Sequence, residues 1–202
     1  MRDFTSPLST LDILDVAHLH PTLKRYHEGT FPLDALPKLV ISGKRPRHII
    51  YNTSPSNDPG THWVSIWLSA DTTAEVMNSL GNQPLQPEVL AFLRRYASHT
   101  FRSTMPIQSY VSSACGLYCL SHGLARSKGK TLAVWLDQFS DCADDNDHLM
   151  YCEFMREMAL PSLFTPRVRS WKQAIARACR RVECSSTRAA SKAAWRVSKR
   201  PR

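Results

Sequence analysis

The segment from residue 62 to residue 78 constrains the fold most strongly, because it has the pattern of a β-hairpin. Residues 62–68 read His-Trp-Val-Ser-Ile-Trp-Leu, and this density of β-branched and aromatic side chains is typical of a strand. A polar turn at 69–73 follows, and 75–78 has the composition of an antiparallel return strand. The start of one strand of a hairpin lies beside the end of the other, so we expect His62 and Asn78 to lie close together.

The segments around this hairpin predict short helices and further strands. Residues 8–28 have the pattern of one or two helices, capped by Ser9 or Thr10 and interrupted at Pro21. Apolar groups predict two strands at 39–41 and 48–51, Pro87 opens a helix, and a third strand or a loop covers 104–108. We therefore expect an α+β fold in which a mixed or antiparallel sheet faces a central helix across a groove.

The central helix is predicted from 112–120, where small residues precede an apolar run. Cys115 lies in or near its first turn, where a helix N-terminus and a neighbouring imidazole favour the thiolate. Cys115 is therefore the candidate nucleophile and His62 the candidate general base. Asn78 would orient the imidazole, and the backbone N–H of Cys115 with the side-chain amide of Gln108 would bind a developing oxyanion.

Each of these residues also has an ordinary structural interpretation. A cysteine on an apolar helix is most often a core residue, which is our interpretation of Cys119. Gln108 has the alternative of a surface amide, His62 that of a histidine at a strand start, and Asn78 that of a turn residue. The presence of all the candidates together, in one order and spacing, favours the catalytic interpretation.

Four sequence blocks carry a family resemblance. They are Gly-Thr-His-Trp at 60–63, Asn-Ser-Leu-Gly at 78–81, Gln108, and Ser-Ala-Cys-Gly-Leu-Tyr-Cys at 113–119. In content and order the blocks resemble those of adenovirus-type cysteine proteases (adenain), which are related to the ubiquitin-like-protein proteases. The seven-residue interval from Gln108 to Cys115 is the one expected for the adenovirus branch.

One position departs from this family. Asn78 stands where the family usually has Asp or Glu. A neutral amide can still orient an imidazole, although it does not supply the charge that would stabilise the imidazolium. Asp71 and Glu75 are the less well placed substitutes.

The resemblance implies a thiol endopeptidase that cleaves viral capsid and core precursor proteins during virion maturation, in the virion and the host nucleus. It implies DNA and a short peptide as activators, and protein substrates as partners. Two alternatives remain open. The first is an isopeptidase of the deubiquitinase or SUMO-protease type, and the second is an inactive DNA-binding virion protein on a protease scaffold.

Charge divides the chain into two parts. Residues 166–202 contain twelve Lys or Arg and one acidic residue, a net charge of +11, whereas residues 1–165 sum to −2. Pro161 and Pro166 mark the boundary. We therefore predict a protease domain at 1–165 and a basic, partly disordered tail at 166–202 that contacts nucleic acid.

Other classes of protein are disfavoured by the composition. No apolar run approaches the roughly 20 residues of a membrane-spanning helix, and the N-terminus lacks the pattern of a signal peptide. We therefore expect an intracellular protein without a membrane partner. The six cysteines are too few and scattered for a disulfide scaffold, and none shows the CxxC spacing of a zinc site. No metal or organic cofactor is expected.

Overall fold

The computed structural model describes residues 7–43 and 45–158, and within these residues five strands form one mixed sheet. The strands are β1 (His27–Phe31), β2 (Arg47–Asn52), β3 (Trp63–Leu68), β4 (Thr73–Met77) and β5 (His99–Arg102), and they lie in chain order. β2, β3 and β4 pair antiparallel, whereas β1 is parallel to β2 and β5 is parallel to β4. The predicted α+β fold is confirmed.

Helices pack on both faces of this sheet. They are α1 (Thr10–Leu19), α2 (Pro87–Tyr96), α3 (Cys115–Ser127), α4 (Leu132–Leu136) and α5 (Ala143–Glu153), with 3₁₀ turns at Leu23–Arg25 and Leu33–Lys38 and a π-helical turn at Phe154–Met158. α3 packs against β3, and α2 packs against the Leu33–Lys38 turn. Since α3 lies on the central strand of the sheet, it is the central helix that the sequence predicts.

Alternation along the strands divides the core into two clusters. Ile50 belongs to the cluster that includes α3, α4 and α5, whereas its neighbour Ile49 belongs to the cluster that includes α2. Successive side chains of a strand point to opposite faces, and all six residues of β3 are buried. The sheet is therefore covered on both faces where it carries the hairpin.

Helix starts follow the predicted capping residues. Ser9 is the N-cap of α1, and its side chain and that of Asp12 form a reciprocal capping box. Pro87 occupies the first turn of α2. α3 begins at Cys115, so the position predicted for this residue at a helix start is confirmed.

One strand prediction was wrong, and one strand of the sheet was not predicted. Residues 39–41 form no strand, because side chains of α2 take their backbone groups: the Leu39 carbonyl accepts from Arg95 and Tyr96, and the Ile41 N–H donates to the Tyr96 hydroxyl. β1 was missed, because His27, Glu28 and Gly29 break the apolar pattern on which the prediction relied. The segment 104–108 is a loop, and the strand before it is β5.

Two further expectations concern the chain as a whole. No helix among the described residues is long and apolar enough to cross a membrane. The predicted tail at 166–202 lies outside the described residues, so the domain boundary stays a prediction.

Candidate active site

A cleft of about 650 Å³ brings three of the four candidate residues together. His62, which directly precedes β3, lines it together with Gln108 and Cys115. The other walls come from residues 7–10 at the start of the described chain and from the loop between β2 and β3. Asn78 directly follows β4 and contacts His62. The hairpin and α3 thus hold the candidate residues at one place.

Cys115 occupies the first position of α3 and is 4% exposed. Burial raises the pKa of its thiol, and hydrogen bonds from the backbone N–H groups of Trp63, Gly116 and Cys115 itself act in the opposite direction. Cys119, one turn later, is fully buried, and burial raises the pKa of its thiol well above the usual value. The two thiols therefore differ in position: Cys115 lines the cleft and Cys119 lies in the core.

The imidazole of His62 is oriented by Asn78. Nε2 of His62 lies 2.9 Å from Oδ1 of Asn78, and the same oxygen accepts a hydrogen bond from the backbone N–H of Leu80 at 3.0 Å. Because Oδ1 is an acceptor, the proton of the neutral ring is assigned to Nε2, and Nδ1 keeps its lone pair. This is the tautomer in which the second ring nitrogen can accept a proton from a thiol.

The backbone of Asn78 is fixed by Ser103, a residue that the sequence did not single out. The Asn78 N–H donates to the Ser103 hydroxyl at 2.8 Å, and this hydroxyl donates to the Asn78 carbonyl at 2.9 Å. Ser103 directly follows β5, which is parallel to β4. The last strand of the sheet therefore supports the residue that orients the base.

The two acidic substitutes for Asn78 have other partners. Glu75 forms a salt bridge with Arg126 at 2.8 Å and lies 3.6 Å from Nε2 of His122. Asp71 accepts a hydrogen bond from the backbone N–H of Thr73. The charge that the family usually places beside the imidazole is therefore not supplied by either residue.

Gln108 is buried with its side-chain amide held at both ends. Its Oε1 accepts from the Ser79 hydroxyl at 2.6 Å, and its Nε2 donates to the Ser112 carbonyl at 2.8 Å. An amide nitrogen carries two N–H groups, so one more donor is available after the bond to Ser112. The first N–H groups of α3 also lack partners within the helix, which provides the second kind of donor that an oxyanion hole requires.

The start of the described chain forms one wall of the cleft. A hydrogen bond from Trp63 holds it there, and Gly116 leaves room for it. The indole Nε1 of Trp63 donates to the Leu8 carbonyl at 2.8 Å. A Cβ atom at Gly116 would lie 3.0 Å from Cδ1 of Leu8, so the glycine permits this close packing beside the nucleophile. Sequence reasoning did not assign this segment to the site.

The electrostatics of the site favour a neutral resting pair. Burial lowers the pKa of His62, and the hydrogen bond to Asn78 only partly opposes this effect. Burial raises the pKa of the Cys115 thiol, so both directions favour the uncharged thiol and the uncharged imidazole at neutral pH. Such a pair can act by general-base removal of the thiol proton during attack, without a preformed thiolate-imidazolium ion pair.

The fold of the chain is shared with solved structures that have low sequence identity to it. Among solved structures, the chain is similar to the pS273R protease of ASFV, with a TM-score of 0.54 and 16% identity over 76% of this chain and 68% of that one. It is also similar to ChlaDub1 from Chlamydia trachomatis, with a TM-score of 0.51 and 12% identity over 87% of this chain and 94% of that one.

No protein-family model matches the sequence, and no curated protein shows significant similarity to it. The structural neighbours support the cysteine-protease fold that the sequence resemblance implies, whereas they do not confirm the adenovirus-type branch in particular. The roles of the four site residues stay predictions that rest on the geometry described above.

Proposed function

We propose that this chain is a cysteine endopeptidase in which Cys115 is the nucleophile, His62 the general base and Asn78 the residue that orients the base. The observation that carries the proposal is the hydrogen bond from His62 to Asn78 at the edge of a cleft that Cys115 and Gln108 also line. A buried cysteine at a helix start and a buried glutamine each have structural explanations. Their convergence with an oriented imidazole is what catalysis requires.

The reaction begins with attack by the Cys115 sulfur on the scissile carbonyl. His62 takes the thiol proton while the C–S bond forms, and the carbonyl oxygen becomes an oxyanion that the Cys115 N–H and the Gln108 amide stabilise. Collapse of this intermediate breaks the C–N bond, and His62 donates its proton to the departing amine. Water then attacks the thioester with His62 as base, which releases a carboxylic acid and restores the thiol.

The proposed substrates are viral precursor proteins that are cleaved during virion maturation, in the virion and the host nucleus. This proposal rests on the sequence blocks shared with adenovirus-type proteases and is supported by similarity in fold to a protease of ASFV. DNA and an activating peptide are proposed regulators on the same resemblance. The basic segment at 166–202 is the proposed nucleic-acid contact.

A second candidate is cleavage next to a ubiquitin-like modifier. It is favoured by the similarity to ChlaDub1, which extends over 94% of that chain. The two candidates are separated by the rates of hydrolysis of two substrates: a peptide with an internal scissile bond, and ubiquitin or SUMO with a fluorophore at its C-terminus. An isopeptidase requires the folded modifier for docking, so it should prefer the second substrate. Faster hydrolysis of the fluorogenic ubiquitin or SUMO would assign the chain to the second candidate.

The proposal is tested by labelling with a peptide that carries a thiol-reactive electrophile. Cys115→Ser should abolish labelling, because the electrophile must be positioned in the cleft beside His62. Cys142→Ser is the matched control, since Cys142 is an exposed free thiol outside the cleft. Loss of labelling in the Cys142 variant, with labelling retained in the Cys115 variant, would show that exposure rather than catalysis selects the thiol.

A further inference from the structure

The loop that carries Gln108 is held by a buried carboxylate that the proposed mechanism does not use. Asp147 of α5 is 6% exposed, and its Oδ2 accepts a hydrogen bond from the backbone N–H of Ser109 at 3.3 Å. Its Oδ1 lies 2.8 Å from the hydroxyl of Tyr118, and the Ser112 hydroxyl also donates to this carboxylate. One side chain thus joins both ends of the loop 109–112 to the nucleophile helix.

Polar contacts, rather than apolar packing, determine the position of this loop. Its tip consists of Tyr110 and Val111, which are 76% and 88% exposed. Its base is held by the Ile107 carbonyl, which accepts from Nδ2 of Asn146 at 3.1 Å. Because the tip has few contacts of its own, the loop conformation depends on the hydrogen bonds at its base.

Gln108 lies between two such anchors. On one side, the Ser79 hydroxyl and carbonyl bind the Gln108 side chain and backbone. On the other side, Gln108 Nε2 donates to the carbonyl of Ser112, and the Ser112 hydroxyl is bound by Asp147. A change at Asp147 therefore reaches the amide of Gln108 through a single intervening residue.

We propose that Asp147 is a positioning residue for the oxyanion hole, which fixes the loop 109–112 and through it the amide of Gln108. The proposal rests on the proposed function, because it assigns to Gln108 the role of oxyanion donor. Asp147 itself does not touch the substrate carbonyl. It acts in the transition state through Gln108, since an oxyanion donor must be in place when the charge develops.

The negative charge of Asp147 also has an effect opposite to the one expected of a catalytic group. Burial is the main cause of the raised pKa of the Cys115 thiol, and the charge of Asp147 acts in the same direction as a smaller contribution. Removing the charge should therefore make the thiol easier to ionise, while the loss of loop anchoring should slow hydrolysis. A merely structural role would reduce both reactions together, so alkylation that persists while hydrolysis slows identifies the positioning role.

The test compares Asp147→Asn with wild type in the full-length chain. We expect kcat for a peptide substrate to fall about 10- to 100-fold with little change in KM, because the lost interaction forms in the transition state. Alkylation of Cys115 by iodoacetamide forms no tetrahedral oxyanion, so its rate in Asp147→Asn should be close to that of wild type. The pH midpoint of alkylation should move to lower pH. Asp145→Asn is the control, since Asp145 is exposed on the same helix.

A double-mutant cycle with Gln108→Ala decides whether the effect passes through Gln108. On the Gln108→Ala background, Asp147→Asn should lower kcat by less than about 3-fold, because the donor that it positions is already absent. Independent, multiplicative losses would overturn the proposal, and so would alkylation that falls in parallel with kcat. If Asp147→Asn does not fold, Tyr118→Phe tests the same anchor, and its loss of kcat should likewise disappear on the Gln108→Ala background.

Failure of the proposed function and failure of this inference give different results. Peptide hydrolysis that persists in Cys115→Ala would contradict the proposed function. Hydrolysis that requires Cys115 and Gln108 but is unchanged in Asp147→Asn would contradict the positioning role alone.

Discussion

Nε2 of His62 lies 2.9 Å from Oδ1 of Asn78, and both residues lie at strand ends within one β-hairpin. The oxygen of Asn78 also accepts the backbone N–H of Leu80, so its amide has a fixed orientation. An aspartate in this place could accept the same two hydrogen bonds. The site therefore has room and partners for the acidic residue that adenovirus-type proteases usually have here, although this chain has the neutral Asn78.

The first prediction concerns this position. Asn78→Asp should keep or raise kcat, because a carboxylate holds the imidazolium more strongly, and it should shift alkylation of Cys115 to lower pH. Asn78→Ala should lower kcat roughly 10- to 100-fold by releasing the imidazole from its orientation. Steady-state kinetics and the pH dependence of alkylation measure both effects. Wild-type rates in Asn78→Ala would show that another group orients His62.

The second prediction separates the two thiols of α3. Cys115→Ala should abolish hydrolysis and leave the fold intact, because the buried sulfur lines the cleft and its removal from the start of the helix costs little packing. Cys119→Ala should retain hydrolysis and lower the free energy of unfolding by about 1 kcal/mol, since it removes a fully buried sulfur atom. Peptide hydrolysis and urea denaturation measure these outcomes. Our assignment of the nucleophile is wrong if the Cys119 variant loses hydrolysis while the Cys115 variant keeps it.

The hairpin and its two site residues were predictable because their signal is local. Alternation along 62–68 and the polar turn after it are read directly from the chain, and His62 and Asn78 then follow from the geometry of antiparallel pairing. β1 and the parallel pairing of β5 depend on contacts with distant residues. No local pattern specifies them.

The same distinction applies within the site. Cys115 and Gln108 belong to sequence blocks, so they could be identified before the structure was known. Ser103 bonds to a residue 25 positions away and Asp147 to one 38 positions away. Serine and aspartate are common in loops and at helix starts, so nothing in their own surroundings in the sequence distinguishes these two. Their role follows only from the packing of β5 and α5 against the site.

The third prediction concerns three buried histidines that lie away from the cleft. Nδ1 of His27 lies 3.3 Å from Nδ1 of His48, whose Nε2 lies 3.0 Å from the Ser65 hydroxyl. This hydroxyl lies 2.9 Å from Nδ1 of His122. Burial lowers the pKa of all three rings, for His27 to about 4. The folded protein therefore holds these histidines uncharged under conditions in which exposed histidines take up protons.

The unfolded chain, with histidine pKa values near 6.5, binds more protons than the folded chain below that pH. Stability should therefore be complete above about pH 6.5 and fall as the pH drops toward 4, by up to about 1.4 kcal/mol per pH unit for each proton. Urea denaturation at several pH values measures this slope. His27→Gln should reduce it, whereas the exposed His99→Gln should not. An identical slope in both variants would show that His27 does not contribute to the pH dependence of stability.

The fourth prediction concerns the close contact between α3 and β2. A Cβ atom at Gly123 would lie 2.3 Å from Cε1 of His48, whose ring is fully buried. Gly123→Ala should therefore destabilise the fold by about 1–3 kcal/mol, although alanine is the better helix former. Gly129→Ala is a poor control, because its φ of +83° is a backbone conformation that alanine rarely adopts. Equal stability of Gly123→Ala and wild type would show that the ring can move aside.

The last prediction concerns nucleic acid. Because residues 166–202 carry +11 and residues 1–165 sum to −2, attraction to DNA should reside in the C-terminal segment. Phosphate contacts release counterions, so affinity for duplex DNA should fall steeply with salt and be independent of sequence. Deletion after residue 165 should remove most of this binding, while deletion from Ser185 onward should leave part of it, because the remaining segment keeps basic residues. DNA titrations of the three proteins at several salt concentrations measure affinity and salt slope. Equal affinities and salt slopes in all three proteins would refute DNA binding by residues 166–202 and would place the binding surface on the folded domain.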